Sequence, residues 1–146
     1  MKKNINLVSK MKLPGFIVTG TITGAIIFLF AFAPIQKKQQ KWTAPPSADK
    51  VINPVASDAK SLAAGKILYT KNCYDCHGKK GKGDGPKSAE LDKPAGDFTK
   101  EIFKKQTDGA IFWKITEGKK PMPSFKKDLT EGMRWQVINY MRTLGK

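Results

Sequence analysis

The apolar and polar positions divide the chain into an apolar run, a polar stretch without a period, and a region of helical period. Residues 16–33 contain no charged side chain, and residues 34–57 contain four prolines and few apolar side chains. From residue 58 onward, apolar side chains recur at the three- and four-residue spacing of an amphipathic helix. The pattern therefore predicts one folded domain at 58–146, preceded by segments that do not belong to it.

Three segments of this domain show the helical period: residues 58–72, 108–117 and 129–144. Ser57 or Asp58 is a suitable N-cap for the first helix. The apolar stripe predicted on the last helix comprises Met133, Val137, Tyr140, Met141 and Leu144. We therefore predict an all-α domain of about three to four helices. So small a helical domain buries too little surface by itself, and it needs a further apolar group in its core.

The apolar run follows a basic segment, residues 1–15, that contains four lysines. Its 18 residues are long enough to span a bilayer, so we predict a single N-terminal transmembrane helix at 16–33. The alternative is a cleaved secretory signal, because Ala31-Phe32-Ala33 resembles a cleavage site. Pro34 would then follow the cut, and we favour the uncleaved anchor. Both interpretations place the domain outside the cytoplasm, on the periplasmic side of the cytoplasmic membrane.

The composition of residues 34–57 predicts a flexible linker between this anchor and the domain. A flexible coil of this length reaches on the order of 25 to 30 Å. The linker would let the domain sample its surroundings while it stays at the membrane.

The charge of the chain indicates acidic partners but not nucleic acid. Lysine and arginine number 27 against 12 acidic residues, which gives a net charge of +15. Arg134 and Arg142 are the only arginines, whereas bidentate contacts to bases and phosphates depend on arginine. We therefore expect no nucleic-acid binding.

The two cysteines and the one histidine of the chain lie together, as Cys73, Cys76 and His77. A zinc site with four Cys or His ligands lacks a ligand here, and no thioredoxin-type strand and helix surround the pair. A disulfide remains an alternative, although it leaves His77 without a role. The spacing Cys-x-x-Cys-His is the attachment motif of a c-type haem. We predict one covalent haem, held by both cysteines and ligated by His77.

Haem iron that only transfers electrons generally has a second axial ligand. No other histidine exists, so methionine is the next candidate. Met133 and Met141 lie on or beside the apolar stripe of the last helix, where a methionine more often fills the core. Met122 lies in a loop between Pro121 and Pro123, which restrict the backbone around it. We therefore favour Met122 as the second ligand.

Three stretches together resemble a class I cytochrome c domain of the bacterial monohaem type, and they are AGKILYTKNCYDCHGKKGKGDGP, TDGAIFWKITEGKKPMPSF and RWQVINYMRTLGK. The resemblance implies the small cytochrome c fold around one haem. In that family a glycine and an aromatic residue on the first helix pack against an aromatic residue on the last. Gly65, Tyr69 and Tyr140 match this set.

The resemblance also implies a Gly-Pro pair after the haem motif, whose proline carbonyl accepts a hydrogen bond from the ligand histidine. Gly85 and Pro86 match this pair, and we expect both at the haem. Such an acceptor orients the imidazole ring and raises its basicity.

A haem with ligands on both faces has no open site for a substrate, so we expect an electron carrier and not an enzyme. The expected function is transfer of single electrons between respiratory-chain components, with acidic redox proteins or respiratory-complex subunits as partners. Two alternatives are a fixed subunit of an oxidase or reductase complex and a haem-based ligand sensor. Docking would involve the lysines near the two ligands, which are Lys79, Lys80, Lys82, Lys87, Lys119, Lys120, Lys126 and Lys127.

Overall fold

A computed structural model describes residues 42–144 of the chain. These residues form five α-helices, which are α1 (Ala59–Asn72), α2 (Tyr74–His77), α3 (Glu101–Lys104), α4 (Asp108–Glu117) and α5 (Glu131–Leu144). Two short 3-10 turns lie at Ala48–Lys50 and Ser88–Glu90. Within the described range the only β-pairing is one isolated bridge, between Lys119 and Met122. The predicted all-α class is confirmed, and the three predicted helices correspond to α1, α4 and α5.

The ends of the long helices are set by residues that the sequence marks. Asp58 is the N-cap of α1, and its side chain accepts a hydrogen bond from the backbone N–H of Ser61 at 2.7 Å. Thr107 caps α4 in the same way, accepting from the N–H of Ala110 at 3.0 Å. Gly118 ends α4 with a φ of +67°, which is the left-handed region that favours glycine. These caps fix where α1 and α4 begin and where the loop after α4 starts.

The centre of the fold is the crossing of α1 and α5. A Cβ atom placed on Gly65 would lie 2.1 Å from the carbonyl oxygen of Gln136 and 3.0 Å from Cβ of Tyr140. One turn later, the rings of Tyr69 and Tyr140 pack with their centroids 5.3 Å apart. The predicted close approach at Gly65 is confirmed, because a side chain there would separate the two helices.

The main core cluster surrounds this crossing. Val137 and Ile138 are fully buried, and Tyr69 and Trp135 are 1% exposed. The remaining buried members are Phe98, Ile111, Ile115, Phe125, Leu129 and Met141. Met133, predicted as part of the apolar stripe, is instead 38% exposed. It lies within the first turn of α5 and not on the buried face, so that part of the prediction was wrong.

The segment before α1 corrects a further prediction. Residues 42–56, which we call the strap, pack against α4 and α5 and do not form a free linker. A Cβ atom on Gly109 would lie 2.0 Å from the carbonyl oxygen of Ala48. Thr107 donates its hydroxyl hydrogen to Asp49 at 2.8 Å. Ala44 and Ala48 bury against Ala110, with Trp113 packed on them.

Asn139 holds the other end of the strap. This residue of α5 is 5% exposed. Its amide nitrogen donates to the carbonyl oxygens of Val55 and Ala56 at 3.1 and 3.2 Å. The amide of Asn53 donates to the Asn139 side-chain oxygen at 2.8 Å. The strap is therefore part of the domain, which begins by Trp42 and not at residue 58.

The remaining N-terminal predictions fall on residues outside the described range. These are the basic segment at 1–15, the transmembrane helix at 16–33 and the first part of the linker, 34–41. Among the helices of residues 42–144, none is long and apolar enough to cross a membrane.

Candidate haem-binding site

The haem motif occupies the junction of α1 and α2. The backbone N–H of Cys73 donates to the carbonyl of Tyr69 at 2.8 Å, and the N–H of His77 donates to the carbonyl of Cys73 at 2.9 Å. Cys76 donates to the same Cys73 carbonyl at 3.3 Å. This single turn makes Cys76 and His77 the i+3 and i+4 neighbours of Cys73, at the start of α2. Both cysteines are half-buried free thiols, so the alternative of a disulfide between them is not what the structure shows.

His77 is oriented through its Nδ1 atom. That nitrogen lies 3.0 Å from the carbonyl oxygen of Gly96. Because a carbonyl oxygen only accepts, Nδ1 carries the hydrogen and Nε2 keeps a free lone pair. The ring also stacks on Phe98, with the centroids 4.5 Å apart and an interplanar angle of 26°. The predicted acceptor, the carbonyl of Pro86, was therefore wrong, and Gly96 takes that role.

Burial lowers the pKa of His77 below its usual value, and the hydrogen bond with Gly96 opposes this shift only in part. The imidazole is consequently neutral at neutral pH, which is the form that binds a metal. Burial, and then the neighbouring Cys76, raise the pKa of Cys73 to about 12. Cys73 is therefore a neutral thiol and not a reactive thiolate.

The loop that follows the motif folds back onto it. Gly83 donates its backbone N–H to the carbonyl of His77 at 2.9 Å, and Gly85 donates to that of Cys76 at 3.2 Å. A Cβ atom on Gly85 would lie 2.4 Å from the carbonyl oxygens of Tyr74 and Asp75. Only glycine allows the loop this close to the motif. Gly85 thus contacts the backbone of the motif, whereas Pro86 is exposed; contact of either residue with haem stays a prediction.

Gly96 and Phe98 were not found by sequence reasoning. They lie in an irregular stretch, AGDFT, that has no period and no recognised motif. The backbone N–H of Phe98 donates to the carbonyl of Gly81 at 2.6 Å, which joins the stretch to the loop after the motif. The one available signal was the run of glycines after His77, which indicates a tight loop there; Gly81 and Gly83 have φ of +69° and +77°.

Met122 lies in a tight turn after α4. Its backbone N–H and carbonyl both form hydrogen bonds of 3.0 Å with Lys119. The side chain is half-buried and packs against the main core cluster. Cys73 packs against the same cluster, and Phe98, which stacks on His77, belongs to it. The structure therefore brings Met122, Cys73 and His77 to one core, while ligation of iron by Met122 stays a prediction.

The chemistry of the donor set tests whether a haem fits this core. His77 is neutral and keeps a free Nε2, and Cys73 and Cys76 are free thiols within one turn of it. These three groups fit a covalently attached haem. By contrast, residues 42–144 contain no group of three or more His, Cys, Asp or Glu side chains that could hold a metal ion.

The family comparison agrees with this chemistry. The model of the family described as cytochrome c oxidase, cbb3-type, subunit III matches residues 60–141. The match covers more than half of the 146 residues and includes Cys73, Cys76, His77 and Met122. The chain belongs to this family. The predicted class I c-type cytochrome domain is thereby confirmed. Membership of the family implies a covalently bound haem c and a role in electron transfer.

Two solved structures resemble the cytochrome. One is a chain of the reducing HAO-like protein complex of Kuenenia stuttgartiensis, with 30% sequence identity and a TM-score of 0.58. That alignment covers 66% of this chain and 50% of the other, so the cytochrome spans about half the length of that relative. The other is cytochrome c6 of the diatom Phaeodactylum tricornutum, with 23% identity, a TM-score of 0.42, and coverage of 57% of this chain and 93% of that one. No curated protein sequence matches the cytochrome significantly.

Proposed function

We propose that the protein is a membrane-tethered monohaem cytochrome that passes single electrons between respiratory-chain components outside the cytoplasm. The observation that carries the proposal is the geometry of His77. The Gly96 carbonyl engages its Nδ1, which leaves Nε2 free one helical turn after Cys73. In this proposal Cys73 and Cys76 would hold the haem through thioether bonds, and His77 and Met122 would ligate its iron.

When bound, the haem supplies a one-electron couple between ferric and ferrous iron. The chain holds and tunes that group. The stack of Phe98 fixes the orientation of the His77 ring, and the loop after the motif is hydrogen-bonded to the Cys76 carbonyl. Met122 as a ligand would raise the reduction potential, because a thioether favours the reduced iron. With His77 and Met122 both bound to the iron, no site would be open to a substrate, and the protein would act as a carrier and not as an enzyme.

Replacement of Met122 tests the ligand assignment. Met122→Ala should remove the weak long-wavelength absorption of Met-ligated ferric haem and should lower the reduction potential. Two other methionines serve as controls, since Met133 is exposed and Met141 is buried in the core. Met133→Leu should leave both the band and the potential unchanged, and Met141→Leu should affect stability alone. If Met122→Leu keeps the band while Met141→Leu loses it, the assignment is wrong.

The membrane tether is supported by the uncharged run at residues 16–33 of the sequence. With residues 42–56 packed on the domain, only the eight residues 34–41 separate the strap from the proposed anchor at 16–33. Eight residues span at most about 29 Å. The haem domain would therefore stay close to the membrane surface. The full chain should remain in the membrane fraction after an alkaline wash, and its release by that wash would contradict the tether.

The proposed partners are acidic redox proteins. Lys79, Lys80 and Lys82 line one surface cleft together with Tyr74, which lies between the two cysteines. Lys87 is different, because its ammonium group pairs with Asp75 at 2.8 Å. Asp84 lines the same cleft, so the cleft's three lysines leave a net positive charge beside the haem motif, to which Lys87 adds less because of its ion pair. Such a surface accelerates association with an acidic partner, and salt weakens the effect.

Charge reversal tests this surface. Lys79→Glu with Lys82→Glu should slow electron transfer to an acidic partner steeply, and the difference from the wild type should shrink at high salt. The matched control reverses Lys60 and Lys66, which are exposed on α1. Lys60 lies about 20 Å along the helix from Cys73. Equal slowing by both double variants would leave only a nonspecific net-charge effect and would contradict a docking surface at the motif.

A fixed subunit of a larger complex is the second candidate function. It is favoured by the 30% identity to a chain of the HAO-like complex, over half of that chain. Purification in mild detergent separates the two candidates. A carrier should elute alone, whereas a fixed subunit should retain stoichiometric partners.

A further inference from the structure

The strap presents two consecutive apolar side chains to solvent. Ile52 is 85% exposed and Val51 is 46% exposed. Ile52 is thus the most exposed of the large apolar side chains in residues 42–144. Single exposed apolar residues are common on protein surfaces, so exposure alone indicates no contact. What distinguishes this pair is the conformation of the strap and its position in the chain.

The pair is held in place on both sides. The backbone N–H of Val51 donates to the carbonyl of Ala48 at 3.1 Å, which closes the turn before the pair. Directly after the pair, the side-chain amide of Asn53 donates to Asn139 of α5 at 2.8 Å. Because both flanks are fixed, the exposure of Ile52 is a property of the packed strap, and the side chain cannot turn inward unless these bonds break.

The position of the pair in the chain limits what it can contact. Only residues 34–41 separate the strap from the proposed anchor, and eight residues span at most about 29 Å. Three of these eight residues are lysines, and the exposed Lys50 directly precedes the pair. Apolar side chains flanked by lysines favour the surface of a bilayer, where the apolar part enters the acyl boundary and the charge stays with anionic headgroups.

We propose that Val51 and Ile52 insert into the surface of the lipid bilayer that carries the anchor, and that this contact restricts the orientation of the haem domain. Lys50 lies beside the anionic headgroups in this arrangement. Since the anchor already holds the strap near the lipid, so small a contact needs little affinity of its own. This inference rests on the proposed function, because it requires the anchor at 16–33.

The contact lies away from the haem motif. Asn139, which holds Asn53, also donates to the hydroxyl oxygen of Ser61 in the first turn of α1, at 2.9 Å. The motif follows the other end of α1, whose 14 residues span about 21 Å. Lipid contact at the strap therefore leaves the motif and the lysines beside it open to a redox partner.

The first experiment places the haem-loaded full chain in vesicles of phosphatidylglycerol and phosphatidylethanolamine, with a nitroxide label on Ile52→Cys. Oxygen concentrates in the bilayer and a nickel chelate stays in water, so the ratio of their collision rates with the label measures its immersion. This ratio should be at least about threefold higher for Ile52→Cys than for Ile67→Cys. Ile67 is the matched control, because it is 71% exposed and lies two residues after Gly65, on the side of α1 opposite the crossing.

The second experiment keeps the isoleucine and moves the label. A nitroxide on Lys50→Cys reports the immersion of the strap while Ile52 is intact. Adding Ile52→Ser should lower the collision ratio at least about twofold, because it removes the apolar side chain. Adding Ile67→Ser should leave the ratio unchanged. Both isoleucines are exposed, so neither serine should impair folding.

Equal collision ratios for the two labelled isoleucine positions overturn the inference, and so does a ratio at Lys50→Cys that Ile52→Ser leaves unchanged. Immersion of Ile52→Cys in native membranes but not in the pure lipid vesicles assigns the pair to a protein partner and overturns the inference as well. Two other results contradict the proposed function instead. Labelling of the wild-type chain would show that its cysteines do not hold a haem, and release of the chain by the alkaline wash would show that the anchor is absent.

Discussion

Two glycine contacts, one at Gly65 and one at Gly109, have nearly the same geometry but hold different parts of the molecule. A Cβ atom at Gly65 would lie 2.1 Å from the Gln136 carbonyl oxygen, and one at Gly109 would lie 2.0 Å from that of Ala48. The first contact joins α1 and α5, each 14 residues long. The second joins α4 to the three-residue turn of the strap. Two contacts of equal distance therefore need not contribute equally to the stability of the fold.

The difference lies in what surrounds each glycine. Around Gly65 the helices bury Tyr69, Val137 and Ile138, and large buried side chains contribute most of the stability of a core. Around Gly109 the buried cluster consists of three small side chains, Ala44, Ala48 and Ala110, with Trp113 packed on it. We infer that the α1–α5 crossing unfolds with the whole domain, whereas the strap can detach locally.

The largest effect is expected at the crossing. Gly65→Ala forces a methyl group against a backbone carbonyl that cannot rotate away, and it should lower the free energy of unfolding of the haem-loaded protein by about 3 kcal/mol. Denaturant unfolding measures this change. If Gly65→Ala lowers the free energy of unfolding no more than Gly109→Ala does, the crossing contributes no more to stability than the strap contact.

A smaller and local effect is expected at the strap. Gly109→Ala should push the turn at Ala48 away from α4, at about 1–2 kcal/mol. The haem spectrum should stay unchanged, while amide exchange speeds up at Val51, whose N–H donates to Ala48. Uniformly faster exchange across α1 and α5 would instead mean that the strap and the crossing unfold as one unit.

The smallest effect, with the opposite sign, is expected at Gly132. This glycine lies in the first turn of α5, and a Cβ atom there would meet nothing within 4 Å. Gly132→Ala should raise the free energy of unfolding by about 0.5–1 kcal/mol, since alanine is the better helix former. The same unfolding experiment measures it. Destabilisation at Gly132 would mean that losses at the other two glycines reflect substitution in a helix and not close contact.

The same comparison shows which parts of the fold the sequence can predict. The α1–α5 crossing joins two helices that have an apolar period, and its contact residues follow from the resemblance to class I cytochromes c. The strap shows no helical or strand period in its apolar residues. Its contacts with α4 are made by alanines and a backbone carbonyl, which leave no such pattern in the sequence. Its polar link, from Asn53 to Asn139, joins residues 86 positions apart. Its prolines and alanines therefore resemble a linker, although they are packed.

In the candidate site, too, local features were predicted from the sequence and long-range contacts were not. Cys73, Cys76 and His77 follow from spacing within one turn, which is a local property of the sequence. The acceptor for His77 depends on the conformation of the long loop after the motif, which the sequence does not predict. The structure shows the carbonyl of Gly96, 19 residues after His77, where that of Pro86 was expected. Met133 was misplaced because the predicted apolar stripe was extended into the first turn of α5, where the side chain faces solvent.

The most direct test of the account is whether one haem is covalently attached to the full chain. Both cysteines of the chain lie in the single Cys-x-x-Cys-His motif, so extraction of the purified protein with acidified acetone should leave the haem with the polypeptide, at one haem per chain. Cys73→Ala with Cys76→Ala should abolish this attachment. Haem that enters the organic phase from the wild-type protein, or a chain that carries no haem at all, would contradict the account.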